Sequence, residues 1–152
     1  MATSFSNLLA HVVFSTKHRN PWILKERQKD LHGFMGGVIQ EERGILLEAG
    51  GMPDHVHLLV KLPTYVPVAR LVRRIKSNSS RWMNENRYHN RRTRFAWQVG
   101  YGAFSVSQSR ANDVRLYIQR QEERHARVSY RQELVTLLRR HGIEYDERYL
   151  LG

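Results

Sequence analysis

Residues 45–62 read Ile45-Leu46-Leu47-Glu48-Ala49-Gly50-Gly51-Met52-Pro53-Asp54-His55-Val56-His57-Leu58-Leu59-Val60-Lys61-Leu62. Two apolar runs flank a Gly-Gly-Met-Pro-Asp cluster, which is turn chemistry. The stretch therefore reads as a hairpin, with one strand over 45–49, a turn over 50–54 and a second strand over 55–62. Strand side chains alternate between faces, so His55 and His57 point the same way and their imidazoles can share one metal ion.

Working outward, residues 8–15 (LLAHVVFS) are apolar and β-branched and predict a buried strand ahead of the hairpin. Between them, residues 24–43 carry Leu31, Phe34, Met35, Val38 and Ile39 at helical spacing, with Gly44 as the stop. After the hairpin, residues 66–86 repeat that pattern with Val68, Leu71, Val72, Ile75 and Trp82, and a basic loop follows over 87–94. Residues 95–106 hold strand-like material interrupted by Gly100 and Gly102. A third helix is expected from a Ser107 or Ser109 cap to about His125, and a fourth over 129–141, ended by Gly142. The tail after it has no assignment.

The order β-α-β-β-α-β predicts an α+β, ferredoxin-like (split β-α-β) antiparallel sheet with two helices on one face, the third strand central, and two further helices after it. No repeat, low-complexity tract or linker divides residues 1–152, so a single domain is expected. A polar His pair on a central strand needs a chemical reason.

The 152 residues contain 25 Lys plus Arg against 14 Asp plus Glu, a formal charge of +11. That balance favours a polyanionic partner, most simply nucleic acid. The candidate contacts are Lys17 and Arg19 after the first strand, Arg70, Arg73, Arg74 and Lys76 on the second helix, and Arg87, Arg91, Arg92 and Arg94 in the basic loop. Trp82, Tyr88, His89, Asn90 and Trp97 are interleaved there and suit stacking of unpaired bases. With no cysteine, disulfides and thiolate chemistry are excluded, which fits a cytoplasmic setting. The first residues lack the pattern of a secretory leader, and no apolar run approaches the roughly 20 residues of a membrane span.

Tyr117 and Gln121, at i and i+4, share one face of the third helix, so a phenol stands beside an amide oxygen. If that oxygen completes a metal site, the metal lies within reach of a nucleophile. A histidine-triad hydrolase would need a third His at Leu59, and an RNA-binding sheet would want exposed aromatics where His55 and His57 stand.

Four segments resemble the IS200/IS605-family single-tyrosine transposases, which include the REP-associated tyrosine transposases. Residues 52–60 (MPDHVHLLV) are similar to the segment carrying the HUH motif (His, hydrophobic, His), and residues 11–19 (HVVFSTKHR) to the first strand. Residues 101–107 (YGAFSVS) resemble the strand before the catalytic helix, and residues 117–125 (YIQRQEERH) that helix itself. The four occur in the right order across most of the chain.

The resemblance implies that Tyr117 is the catalytic nucleophile and that His55, His57 and Gln121 bind a divalent metal, Mg2+ or Mn2+. It implies metal-dependent nicking and rejoining of single-stranded DNA, with hairpin ends, through a 5′-phosphotyrosine. Arg124 departs from the pattern, since another His is expected beside His125. One tyrosine per chain implies a homodimer for two strand events. A domesticated, hairpin-binding relative that no longer transposes is the alternative, and the presence of all four catalytic candidates weighs against it.

Overall fold

The computed structural model describes residues 4–86 and 93–150. Four strands, β1 (Leu9–Ser15), β2 (Ile45–Met52), β3 (His55–Lys61) and β4 (Gly102–Val106), form one antiparallel sheet in the order β2-β3-β1-β4. This is the expected α+β arrangement, with β3 and β1 in the centre.

Helices α1 (Gln28–Glu41) and α2 (Val68–Asn86) cover one face. Ala10, Val12, Phe14, Val56, Leu58 and Val60 of the sheet meet Leu31, Met35 and Ile39 of α1 and Leu71, Val72 and Ile75 of α2. Burying each large side chain contributes roughly 1.5–3 kcal/mol, so this layer is the main stabilising core. The odd-numbered positions of β1 and β3 face the other way. There α3 (Ala111–Gln119), α4 (Gln121–His125) and α5 (Tyr130–Arg140) pack. Leu9 and Leu59 meet Ala111 and Ile118, while Val13 and Phe104 meet Tyr130, Leu134, Leu137 and Leu138.

Several boundaries differ from expectation for physical reasons. Strand β2 continues through Gly50, Gly51 and Met52, which pair with His57, Val56 and His55, so the turn is only Pro53-Asp54. Helix α1 starts at Gln28 after a 3-10 turn over 25–27. Its end is turned by Arg43 at φ 65°, whose N–H donates to Gln40 O, while Gly44 N–H donates to Ile39 O, both at 2.9 Å. Gly44 is required instead for space, since a Cβ there would lie 2.9 Å from Ile39 Cγ2.

Neither Ser107 nor Ser109 caps α3. A 3-10 turn over 108–110 leads into it, and the two serine hydroxyls lie 3.1 Å from each other. The expected long third helix breaks at Arg120 (φ −99°, ψ 28°) into α3 and α4. Helix α5 begins on a capping box between Ser129 and Gln132 and ends at Gly142, whose φ of 66° suits glycine. Among the described residues no helix is long and apolar enough to cross a membrane. The basic-loop residues Arg87, Arg91 and Arg92 lie outside the described residues.

Candidate metal centre and nucleophile

The site lies on the sheet face under α3–α5. Register alone delivers its first part. His57 sits opposite Val13 of β1 and Gly50 of β2, and His55 opposite Ser15 and Met52. Both histidines are fully buried, and their rings stand 5.2 Å apart.

Each imidazole is oriented from behind. His55 Nδ1 donates to Asp54 Oδ1 at 2.7 Å, and His125 Nδ1 donates to the Val128 carbonyl at 2.8 Å. His57 Nδ1 lies 2.7 Å from Nε2 of His11, a third inward-facing strand histidine. The three Nε2 atoms therefore converge. They meet Glu133 Oε1, which lies 2.8 Å from His57, 3.2 Å from His125 and 3.6 Å from His55. His55, His57, His125 and Glu133 offer four ligand atoms within 4.8 Å of one another. Nδ1 partners behind each ring set its orientation and leave Nε2 facing inward, the usual support of a histidine metal site. The donor set thus fits a divalent cation.

Gln121 joins the same cluster. Its Oε1 lies 3.1 Å from His55 Nε2 and 3.0 Å from His125 Nε2, and its Nε2 donates to Glu133 Oε2 at 3.1 Å. The helix break at Arg120 reorients this turn, so that Gln121 is buried under the histidines.

The nucleophile candidate lies alongside. Tyr117 Oη donates to Glu133 Oε2, and its ring centroid lies 5.7 Å from His57 and 5.9 Å from His11. Arg124 covers the opposite side, its guanidinium 5.0 Å from the Tyr117 ring and its Nε 3.3 Å from Glu133 Oε2. Glu133 thus splits its carboxylate, with one oxygen facing three imidazoles and the other facing the phenol. Tyr117 lies against the histidines of its own chain.

Electrostatics follow from this packing. Burial, then the neighbouring His57, lowers His11 to about 3, so it is neutral. Burial also lowers His57, against the pull of Glu133. Burial alone would raise Glu133, but hydrogen bonds from His125 and His57 outweigh it and hold the carboxylate well below its ordinary range. Tyr117 is pushed well above the ordinary phenol value by burial first and by the Glu133 charge second. The phenol therefore keeps its proton until chemistry removes it.

The sequence-expected residues divide into two groups. Tyr117, His55, His57 and Gln121 come together. Arg73, Arg74 and Lys76 lie on α2, across the sheet. There Arg74 pairs with Glu42, and Lys76 donates to the carbonyls of Gln98 (2.6 Å) and Gly100 (2.7 Å). Lys17 and Arg94 are exposed. Arg19 is half-buried, close enough to Asp54 and Tyr130 to act on both electrostatically.

Sequence reasoning missed His11, His125 and Glu133 as site members. For two of them a signal existed. His11 is the one ionisable residue in the buried strand β1, and Glu133 falls on the apolar stripe of Tyr130, Leu134 and Leu137 on α5.

Residues 4–121 match the family described as "Transposase IS200 like". Two curated relatives, the transposases for insertion sequence element IS200 of Salmonella typhimurium and of Salmonella typhi, are each 26% identical over 123 residues. That alignment covers 77% of this chain and 78% of theirs. Two solved structures share the fold. A crystal structure described as that of a candidate transposase from Deinococcus radiodurans superposes with a TM-score of 0.62 at 22% identity, over 80% of this chain and 95% of the other. A REP-associated tyrosine transposase bound to a REP hairpin gives 0.61 at 14% identity, over 84% of this chain and 74% of the other.

Proposed function

Because the chain belongs to the IS200-like transposase family, we propose that it cuts and rejoins single-stranded DNA by transesterification through Tyr117. One observation carries this reading: the phenol of Tyr117 and the three inward imidazoles meet on a single buried carboxylate, Glu133.

His55, His57 and His125 with Glu133, joined by Gln121, would hold the divalent ion. Such an ion supplies charge neutralisation and orientation at the scissile phosphate. An imidazole-rich set ordinarily suits zinc or another late transition metal better than magnesium, and manganese is the compromise with the family's use of Mg2+ or Mn2+.

The chain's own residues account for the rest. A phenol attacks poorly while protonated, so its hydrogen needs an acceptor. Glu133 Oε2 already accepts that hydrogen bond. As the Tyr117 Oη–phosphorus bond forms, the phenolic proton is released to solvent, while Glu133 Oε2 orients the hydroxyl for attack. The bond from phosphorus to the 3′-oxygen breaks, and that oxygen leaves as a hydroxyl with a proton from solvent. Rejoining reverses both transfers, and Tyr117 takes its proton back from solvent. The bond energy stays in the phosphotyrosine, so resealing needs no ATP. Arg124, stacked on the phenol and close to Glu133, keeps both in place.

With one nucleophile per chain, two strand events call for a homodimer. The neighbour bound to a REP hairpin supports a hairpin-bearing strand as substrate. The test is an end-label experiment with strands from the DNA flanking the gene. In the presence of manganese, a 3′-end label should travel with the protein on a denaturing gel, while a 5′-end label is released on a fragment ending in a 3′-hydroxyl. A 5′-end label that travels with the protein would reverse the polarity and overturn the mechanism.

A further inference from the structure

Tyr117 forms a wall shared by two open cavities. One, of about 740 Å³, runs along α3 and α4 and is lined by Arg120, Arg124 and Arg127. The other, of about 540 Å³, lies between β4, α3 and α5 and is lined by Arg110, Arg140 and the Ser105 and Ser107 positions. Both fall within the roughly 300–1,000 Å³ of ligand-binding clefts. Their cations outnumber their acids. Asp113 borders both cavities and sits 3.5 Å from Arg110, and Glu123 borders only the first.

The arginines are not spent on the fold. Arg120, Arg127 and Arg140 are exposed and make no ion pair among the described residues, and the Arg110–Asp113 pair is mostly solvent-exposed. Exposed pairs of that kind contribute little and exchange readily for a phosphate. On α2, by contrast, Arg74 and Lys76 are already engaged, and the sheet separates them from Tyr117. The two cavities meet at the phenol.

We propose that single-stranded nucleic acid crosses Tyr117 in an arginine-lined track, with phosphates on one side of the scissile bond held by Arg120 and Arg127 and those on the other side by Arg110 and Arg140. This rests on the strand-cutting reading of Tyr117. Arg124, tied to Tyr117 and Glu133, belongs to the catalytic cluster and not to the grip.

The test is the salt dependence of binding. Full-length protein is titrated onto fluorescein-labelled oligothymidylate in EDTA, so that no cleavage intervenes, over a series of salt concentrations. Each single-strand phosphate contact contributes about 0.7 to the slope of log affinity against log salt. Arg120→Ala/Arg127→Ala and Arg110→Ala/Arg140→Ala should each flatten the slope by about 1.4, and the fourfold variant by about 2.8. All four positions are exposed, so the variants should fold as the parent does, with unchanged melting curves.

A slope unmoved by either pair, but flattened by Arg70→Ala/Arg73→Ala, overturns the track and moves the strand to the α2 face. The two readings fail separately. Wild-type protein that forms the tyrosine adduct while neither pair alters the slope sinks the track alone. Protein whose slope responds as expected but which never forms an adduct sinks the cutting reading and leaves the track standing.

Discussion

Gly50→Ala should uncouple catalysis from folding, because Gly50 is where the backbone of α3 lies closest against β2. A Cβ at this position would lie 2.4 Å from the Ile118 carbonyl oxygen and 2.9 Å from Ile118 Cγ2. An ordinary contact needs about 3.5 Å, so α3 must retreat by about 1 Å. A side-chain rotation cannot relieve the clash, since Ile118 is 1% exposed and its carbonyl belongs to the helix backbone. Tyr117 is the neighbouring residue and moves with it, which disturbs its hydrogen bond to Glu133. A displacement of that size costs on the order of 100-fold in rate. Overpacking costs about 1–3 kcal/mol, or roughly 3–10 °C in melting temperature for a chain of this length. The assay is single-turnover adduct formation well below the melting transition. The control is Gly37→Ala on α1, where a Cβ meets nothing within 4 Å and the rate should not change. An alanine variant at Gly50 with the wild-type rate would refute the claim that this glycine seats the catalytic helix.

Two further outcomes follow from named contacts. Asp54→Asn removes the carboxylate behind His55 and should weaken manganese binding about 10- to 100-fold by calorimetry, and an unchanged affinity would remove Asp54 from the site. His32 on α1 is held near a pKa of about 4 by burial, and its Nε2 has no hydrogen-bond partner among the described residues. Between pH 6.5 and about 4 the unfolded chain takes up a proton that the folded chain refuses, so stability falls as pH falls through that window. His32→Gln should spare about 1–3 kcal/mol of that loss, read as the difference between the two melting-temperature–pH curves, and parallel curves would show that His32 is not the group responsible.

Periodicity made the sheet order and the His55–His57 pair legible, because alternation in a buried hairpin leaves only one face for both imidazoles. Spacing alone placed Tyr117 and Gln121 on one face of a single helix, but the helix breaks between them, and it was the family resemblance that singled out the phenol. What stayed hidden depends on tertiary geometry. Gly50 and Gly51 are turn residues by composition, yet they extend β2, because the absence of a side chain at Gly50 lets α3 approach closely. The break at Arg120 follows no Pro or Gly, and it is what folds Gln121 and His125 over the site. Glu133 is an ordinary helix residue by type. Only the crossing of α5 over the strand histidines makes it the centre of the cluster. The basic residues were legible as a nucleic-acid signature but not as a location, since charge alone does not say which face of a sheet a side chain occupies.

The most direct test of the central claim is the site of the covalent link. Wild-type protein and Tyr117→Phe are incubated with manganese and single-stranded DNA from the gene's flanks, and the adduct is digested and mapped by mass spectrometry. A nucleotide is expected on the peptide containing Tyr117, with no adduct in the phenylalanine variant and with DNA binding retained by that variant. A nucleotide linked to another residue, or an undiminished adduct in the variant, would contradict it.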